Sequence, residues 1–347
     1  MADDPAPLTV ADYETLARAL VEPAAWDYQA GGAGDEHSLA DNLAAWTRVR
    51  LRPRILVDVS TRDLTATAFG AELAHPIVVA PTAMHRLSHP EAEIATARGT
   101  AAAGGLFTLS TISATSMEDV SATAPDAPRW FQLYAPSDRG ACRDLVDRAV
   151  AAGFGAVVVT VDLPLPGNRE RDVRNAFELD LGVHLPPDQP VDEAGIVVLP
   201  TFDWTELEWL RSICPVPLIA KGVLRADDAQ RAIDLGLDGI WVSNHGGRQL
   251  DTTIATPDAL REIVESVGDR ALLVVDGGVR RGIDVLKGLA LGADLVAIGR
   301  PALWGLAVGG ADGVQRVIEI LRDELSLTMA LAGCRSLEGI TPDLVAG

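Results

Sequence analysis

The chain has 347 residues, 48% of them hydrophobic and only 5% aromatic, and a formal net charge of −20; that length suits one α/β barrel with extensions or two ordinary domains. The acidic balance excludes a nucleic-acid partner, because phosphate binding needs clustered Lys and Arg to displace counterions. The longest apolar stretch, Ala149–Val161, is too short to span a bilayer, so no membrane partner is expected either.

Along the chain, residues 9–75 read as a cap with helices at Val10–Leu20 and His37–Trp46 and a hairpin around Asp58–Phe69. Strand and helix then alternate. Strands are predicted at Pro76–Ala80, Leu106–Ser110, Trp130–Tyr134 and Ala156–Val161, with helices at Pro90–Ala103, Met117–Ala124 and Arg139–Ala152 between or after them. After a long segment, 162–216, which holds a helix at Trp204–Ile213, strands follow at Pro217–Lys221, Gly239–Ser243, Leu272–Asp276 and Leu295–Gly299. Their helices are Ala226–Leu235, Pro257–Ser266, Gly282–Leu291 and Gly313–Ala332. Eight such units predict an α/β fold, a closed (β/α)₈ TIM barrel over 76–332 within a single domain 1–347. The long connection after strand four is a candidate active-site loop or lid.

Cys142, Cys214 and Cys334 lie far apart, without CxxC spacing or a histidine at metal-ligand spacing, so no metal is expected. The N-terminus lacks a basic stretch followed by an apolar run, which makes a reducing cytoplasm the expected location.

A barrel keeps its chemistry at the C-terminal strand ends, and here those ends are polar. They carry Thr82 and Ala83, Ser110, Gln132 with Tyr134, Thr160 with Asp162, Lys221, Ser243-Asn-His-Gly-Gly-Arg248, Asp276-Gly-Gly-Val-Arg280 and Gly299-Arg300. The last two turns form a phosphate-site pattern, since Gly277, Gly278 and Gly299 expose backbone N–H groups and Arg280 and Arg300 supply cationic forks. That is one phosphate pocket with no adenine-binding GxGxxG unit, which favours a mononucleotide-type ligand over a dinucleotide. Lys221 is one of only two lysines, placed where a cation suits charge that appears transiently. His245 and Arg248 share a Gly-rich turn that lets both reach one ligand.

Ser243-Asn-His-Gly-Gly-Arg-Gln-Leu-Asp251, Asp276-Gly-Gly-Val-Arg-Arg-Gly282, Ile298-Gly-Arg-Pro301, Ala80-Pro-Thr-Ala-Met84, Phe131-Gln-Leu-Tyr134 and Thr160-Val-Asp162 together resemble the FMN-dependent 2-hydroxy acid oxidase and dehydrogenase family. The resemblance covers nearly the whole chain, and family members include glycolate, lactate and mandelate oxidases. It implies that Arg169 and Arg248 grip a substrate carboxylate, that Tyr134 and Tyr28 hydrogen-bond to substrate, and that His245 takes a proton, oriented by Asp162. For FMN it implies Ser110, Gln132 and Thr160 at the isoalloxazine, Thr82 and Ala83 near N5, Lys221 near N1 with Ser243 beside it, and Asp276 on the ribityl hydroxyls. Gly278, Arg280, Gly299 and Arg300 would take the phosphate. It also implies a homotetramer or a higher oligomer.

Two departures bear on substrate. Gln29 follows Tyr28 where several relatives have another aromatic, and Ile112 stands where glycolate oxidase has a bulky one. The room over the flavin favours mandelate-like aromatic or medium aliphatic L-2-hydroxy acids, unless lid residues near Phe177 and Leu181 refill it. Ala83, as in glycolate oxidase, together with the lack of a membrane segment or haem domain, favours O2 as acceptor with H2O2 released. The alternatives are a dehydrogenase with a quinone or other acceptor, an FMN isomerase, and a non-catalytic flavin-binding protein.

Overall fold

The computed structural model describes residues 6–179, 182–185 and 199–346. Before the barrel come helices α1 (Val10–Leu20), α2 (Pro23–Ala30) and α3 (His37–Arg48) and a hairpin of strands β1 (Ala66–Ala68) and β2 (Ala71–Leu73). Eight parallel strands then close on themselves in chain order: β3 (Ile77–Val79), β4 (Leu106–Ser110), β5 (Arg129–Leu133), β6 (Val157–Thr160), β7 (Leu218–Val223), β8 (Gly239–Val242), β9 (Leu272–Val275) and β10 (Leu295–Ile298), which pairs back with β3.

These strands are runs of Val, Ile and Leu because each is covered on both faces. Val78, Leu106, Trp130, Val158, Ile219, Trp241, Val274 and Leu295 fill the lumen, where the two tryptophan rings meet edge-on at 6.4 Å. The opposite faces pack on α4 (Ala92–Ala102), α5 (Met117–Thr123), α6 (Arg139–Ala151), α8 (Trp204–Ile213), α9 (Ala226–Asp234), α10 (Thr256–Val267), α11 (Gly282–Ala290) and α12 (Arg300–Ala332), with α7 (Glu170–Arg174) in the connection after β6.

The predicted strands and helices recur within a few residues, with four differences. The hairpin lies at Ala66–Leu73, later than the predicted Asp58–Phe69; its two-residue turn is Phe69–Gly70, with φ of 47° and 82°, the geometry that matches strand twist. The Phe69 ring packs against Trp130 at 5.9 Å, so the hairpin plugs the bottom of the lumen. Helix α2 is an addition, and it carries no apolar stripe; Pro23 opens it and the Glu22 carboxylate caps the Ala25 N–H at 3.0 Å. Helix α7 is a second addition. The last helix begins at Arg300 and kinks at Gly309–Gly310, where φ/ψ leave the helical region; the predicted helix from Gly313 is only its second half. Of the long connection, Leu181 and most of Leu185-Pro-Pro-Asp-Gln-Pro lie outside the described residues.

Candidate active site

The N-terminal helices reach over the C-terminal mouth of the barrel and lock its loops. Asn42 on α3 exchanges amide hydrogen bonds with Asn244 at 2.8 Å each way, and Trp46 donates to the Gly277 carbonyl at 2.7 Å. Helix α2 carries Tyr28 to the same mouth. A cavity of about 1110 Å³, its open mouth included, results. Its walls hold Tyr28, Thr82, Ala83, Ser110, Gln132, Tyr134, Thr160, Arg169, Lys221, His245, Arg248, Asp276, Gly278, Arg280, Gly299 and Arg300. The remaining two predicted residues, Asp162 and Ser243, stand one hydrogen bond behind.

His245, Gly246 and Gly247 follow one another with φ of 57°, 65° and 76°. A β-carbon at Gly247 would sit 2.6 Å from the Leu39 nitrogen, so the turn needs glycine there. The strained turn aims His245 inward, with Nδ1 3.0 Å from Asp162 Oδ1. A carboxylate only accepts, so Nδ1 carries the proton and Nε2 presents its lone pair to the cavity. Burial pushes the imidazole below its ordinary range and outweighs the Asp162 charge. Burial also works against the Asp162 carboxylate, yet the facing imidazole holds it below its usual value.

Four arginines and a lysine ring the cavity. Arg248 donates to the Tyr28 and Gly31 carbonyls and lies over the Tyr28 ring at 4.8 Å. Arg169 donates to the Arg248 carbonyl and to Gln249 Oε1, both at 3.3 Å. Arg280 donates to its neighbour's carbonyl, on Val279, at 2.9 Å and stacks on Trp304 at 4.7 Å. Arg300 donates to the carbonyls of Gln29, Gly246 and Gly31 at 2.9, 3.0 and 2.8 Å. Among the described residues, none of the four has a carboxylate within salt-bridge distance. Burial lowers Arg248 and Arg280 to about 10 and Arg300 to about 9. Cations that are at least half-buried and bond carbonyl oxygens suit anionic ligands. Beside Arg280 and Arg300, Gly277 and Gly278 have φ of 91° and 79°, and α12 points its N-terminus at the same end, an anion site by geometry.

Residues 17–347 match the model of the FMN-dependent dehydrogenase family. The chain belongs to that family. It is 48% identical to the L-lactate oxidase of Nostoc sp., over 96% of each chain. It is 44% identical to the glycolate oxidase of Spinacia oleracea, over 97% of this chain and 95% of that protein. The solved structure of a mandelate oxidase superposes with a TM-score of 0.92 at 41% identity, covering 98% of both chains. Membership makes FMN the cofactor and places the chain in the FMN-dependent (S)-2-hydroxy-acid oxidase class, which oxidises 2-hydroxy acids. The cavity fits that cofactor, because Arg280, Arg300 and the Gly277–Gly278 and Gly299 turns line it together with a polar row. In the row Ser110 Oγ donates to Gln132 Oε1 at 3.1 Å, and Gln132 Nε2 donates to Thr160 Oγ1 at 2.9 Å. Lys221 donates to Ser243 Oγ at 3.3 Å, and Ser243 in turn donates to Asp276 Oδ1 at 2.8 Å.

On the apolar side of the cavity, sequence reasoning named Ile112 and Phe177 but missed Leu163 and Leu179. Leu163 and Leu179 line it with Ile112, and they cluster with Tyr28, Met84, Tyr134 and Leu199. Phe177 stacks on Tyr28 with ring centroids 4.8 Å apart, so the space left by Ile112 is partly refilled from the long connection. Thr111 was also missed; its hydroxyl bridges the Gln132 carbonyl and the Tyr134 N–H at 2.6 and 3.0 Å. No periodic signal marks these positions.

Because His245 must be neutral to accept a proton and burial holds it low, the acid limb of kcat/KM is expected to fall below the ordinary histidine value of about 6.5. A pH profile checks this; a limb above that value would contradict a depressed imidazole.

Proposed function

We propose that the chain oxidises an aromatic or medium aliphatic (S)-2-hydroxy acid to the 2-keto acid and passes the electrons to O2, releasing H2O2. The observation that carries this reading is the His245–Asp162 pair in a cavity that Arg169 and Arg248 share with the apolar wall of Ile112, Leu163 and Leu179. Bound FMN supplies the two-electron acceptor. Arg169 and Arg248 hold the substrate carboxylate through charge-assisted bonds. Burial pushes the Tyr134 phenol well above its ordinary value, so it stays a hydrogen-bond donor to the substrate, with Tyr28 beside it. His245 Nε2 takes the proton, and Asp162 stabilises the imidazolium that forms. Ser110, Gln132, Thr160, Thr82 and Ala83 would hold the flavin ring, and Lys221, steadied by Ser243, would bring it a cation. Asp276 would take the ribityl hydroxyls, and Gly278, Arg280, Gly299 and Arg300 would take the phosphate.

A second reading, glycolate or L-lactate as the preferred acid, is favoured by the 44–48% identity to oxidases of those acids. A panel of (S)-2-hydroxy acids separates the two. (S)-Mandelate is expected to exceed glycolate in kcat/KM by about tenfold or more, the scale of one buried apolar group; glycolate or lactate as best substrate would establish the second reading. Oxygen as acceptor predicts one peroxide per keto acid and reoxidation within the turnover time, whereas slow reoxidation in aerated buffer would make the chain a dehydrogenase. A cytoplasmic homotetramer is also part of the proposal, supported by three free, buried cysteines and by family resemblance; light scattering tests the assembly. Among the described residues no helix is long and apolar enough to cross a membrane.

A further inference from the structure

Behind the cavity wall lies a buried polar network that the reaction above does not use. His85 has no solvent exposure, and its ring joins two hydroxyls, with Nε2 2.6 Å from Thr82 Oγ1 and Nδ1 2.8 Å from Thr96 Oγ1. Its backbone N–H donates to Glu93 Oε1 at 3.0 Å. Glu93 is likewise fully buried and also accepts from the Ala114 N–H at 3.2 Å and from the Thr115 hydroxyl at 2.9 Å. One carboxylate therefore ties the turn after β3 to the turn after β4. Between Thr82 and His85, Met84 is held at φ 51°, a left-handed conformation that its neighbours must over-determine.

Such a network is costly to bury, and an apolar replacement of equal volume is often no less stable, so packing alone does not account for it. Of its members only Thr82 reaches the cavity wall. We propose that His85, braced by Glu93 and Thr96, is a positioning residue that fixes the Thr82 hydroxyl and the Thr82–Ala83 backbone where they meet the bound flavin. This rests on the assignment of Thr82 and Ala83 to the flavin wall. Burial holds the His85 imidazole below its ordinary range, and a neutral ring has one donor and one acceptor. One threonine hydroxyl therefore donates to it while the other accepts, so the ring tautomer and the Thr82 hydroxyl are set together.

The test uses the side-chain amides that imitate each ring nitrogen. Gln places its amide near the Nε2 position and keeps the Thr82 bond; Asn reaches only the Nδ1 position and keeps the Thr96 bond. In purified holoenzyme, His85→Asn is expected to speed FMN release, followed by flavin fluorescence, by several-fold to about tenfold, the scale of one hydrogen bond. It should slow flavin reduction without raising KM, whereas His85→Gln should stay within about twofold of wild type in both. Thr82→Val, which keeps the volume at 82 and removes the hydroxyl, should match His85→Asn, so the idea stays testable if the histidine variants fold poorly. Equal behaviour of Gln and Asn, changes that simply follow Tm, or wild-type FMN release in Thr82→Val would overturn the positioning role. Wild-type protein purified without FMN would instead sink the flavin reading itself.

Discussion

Replacing His245 with alanine is expected to leave FMN bound while slowing flavin reduction by the substrate about 10²–10⁴-fold, the usual cost of losing a positioned base. The expectation is specific because the side chain has two separable jobs. Its Nδ1 is committed to Asp162 at 3.0 Å, and its Nε2 is the nitrogen left for the substrate. The turn itself is held by the backbone, through the His245 N–H to Ser243 Oγ at 3.1 Å and the Gly247 N–H to the Asn244 carbonyl at 3.0 Å, so the loop should survive the truncation. Stopped-flow bleaching of the flavin under anaerobic conditions reads the effect. Reduction at a near-normal rate would move the base to another residue.

Replacing Arg248 with methionine should weaken binding of substrate and of unreactive carboxylate analogues by about 10–150-fold, since a hydrogen bond to a charged group contributes roughly 1.5–3 kcal/mol. FMN affinity should change far less. Methionine keeps much of the apolar stem, but it gives up the guanidinium's stacking on the Tyr28 ring and the bonds to the Tyr28 and Gly31 carbonyls, so a modest fall in Tm accompanies the loss. Isothermal titration with the analogue separates the two effects. A variant that bound the analogue normally but released FMN would reassign Arg248 to the cofactor. Arg280→Met is the natural contrast: its guanidinium lies against Trp304 at the glycine turn, and its loss should be felt by FMN and not by the substrate analogue.

The barrel was legible because its signal is local. Each strand is a run of mostly apolar residues buried on both faces and a helix follows each one in the chain, so the alternation survives in a linear reading. The strand-end residues were legible for the same reason, since their position along the strand says which end of the barrel they occupy. Helix α2 was not, because it buries Ala25, Trp26, Tyr28 and Gln29 without a regular stripe. The hairpin was placed too early because its turn rests on Phe69 at positive φ, a conformation secured by lumen packing and not by the residue's own preference.

By itself, then, the sequence determined an acidic α/β barrel, its polar C-terminal mouth and the residues that furnish it. Only the tertiary structure decided what those residues do to one another. Asp162 meets His245 across 83 positions and thereby selects its tautomer; Asn42 clasps Asn244 across 202; Arg300 spans 271 to hold the end of α2 over the cavity. The same closure leaves four cavity arginines with no carboxylate at salt-bridge distance among the described residues, sets Leu163 and Leu179 beside Ile112 on the cavity wall, and sets His85 behind Thr82. Periodicity records what each segment buries, whereas tautomer, charge compensation and cavity shape depend on which distant segments barrel closure brings within about 3 Å, the reach of a hydrogen bond.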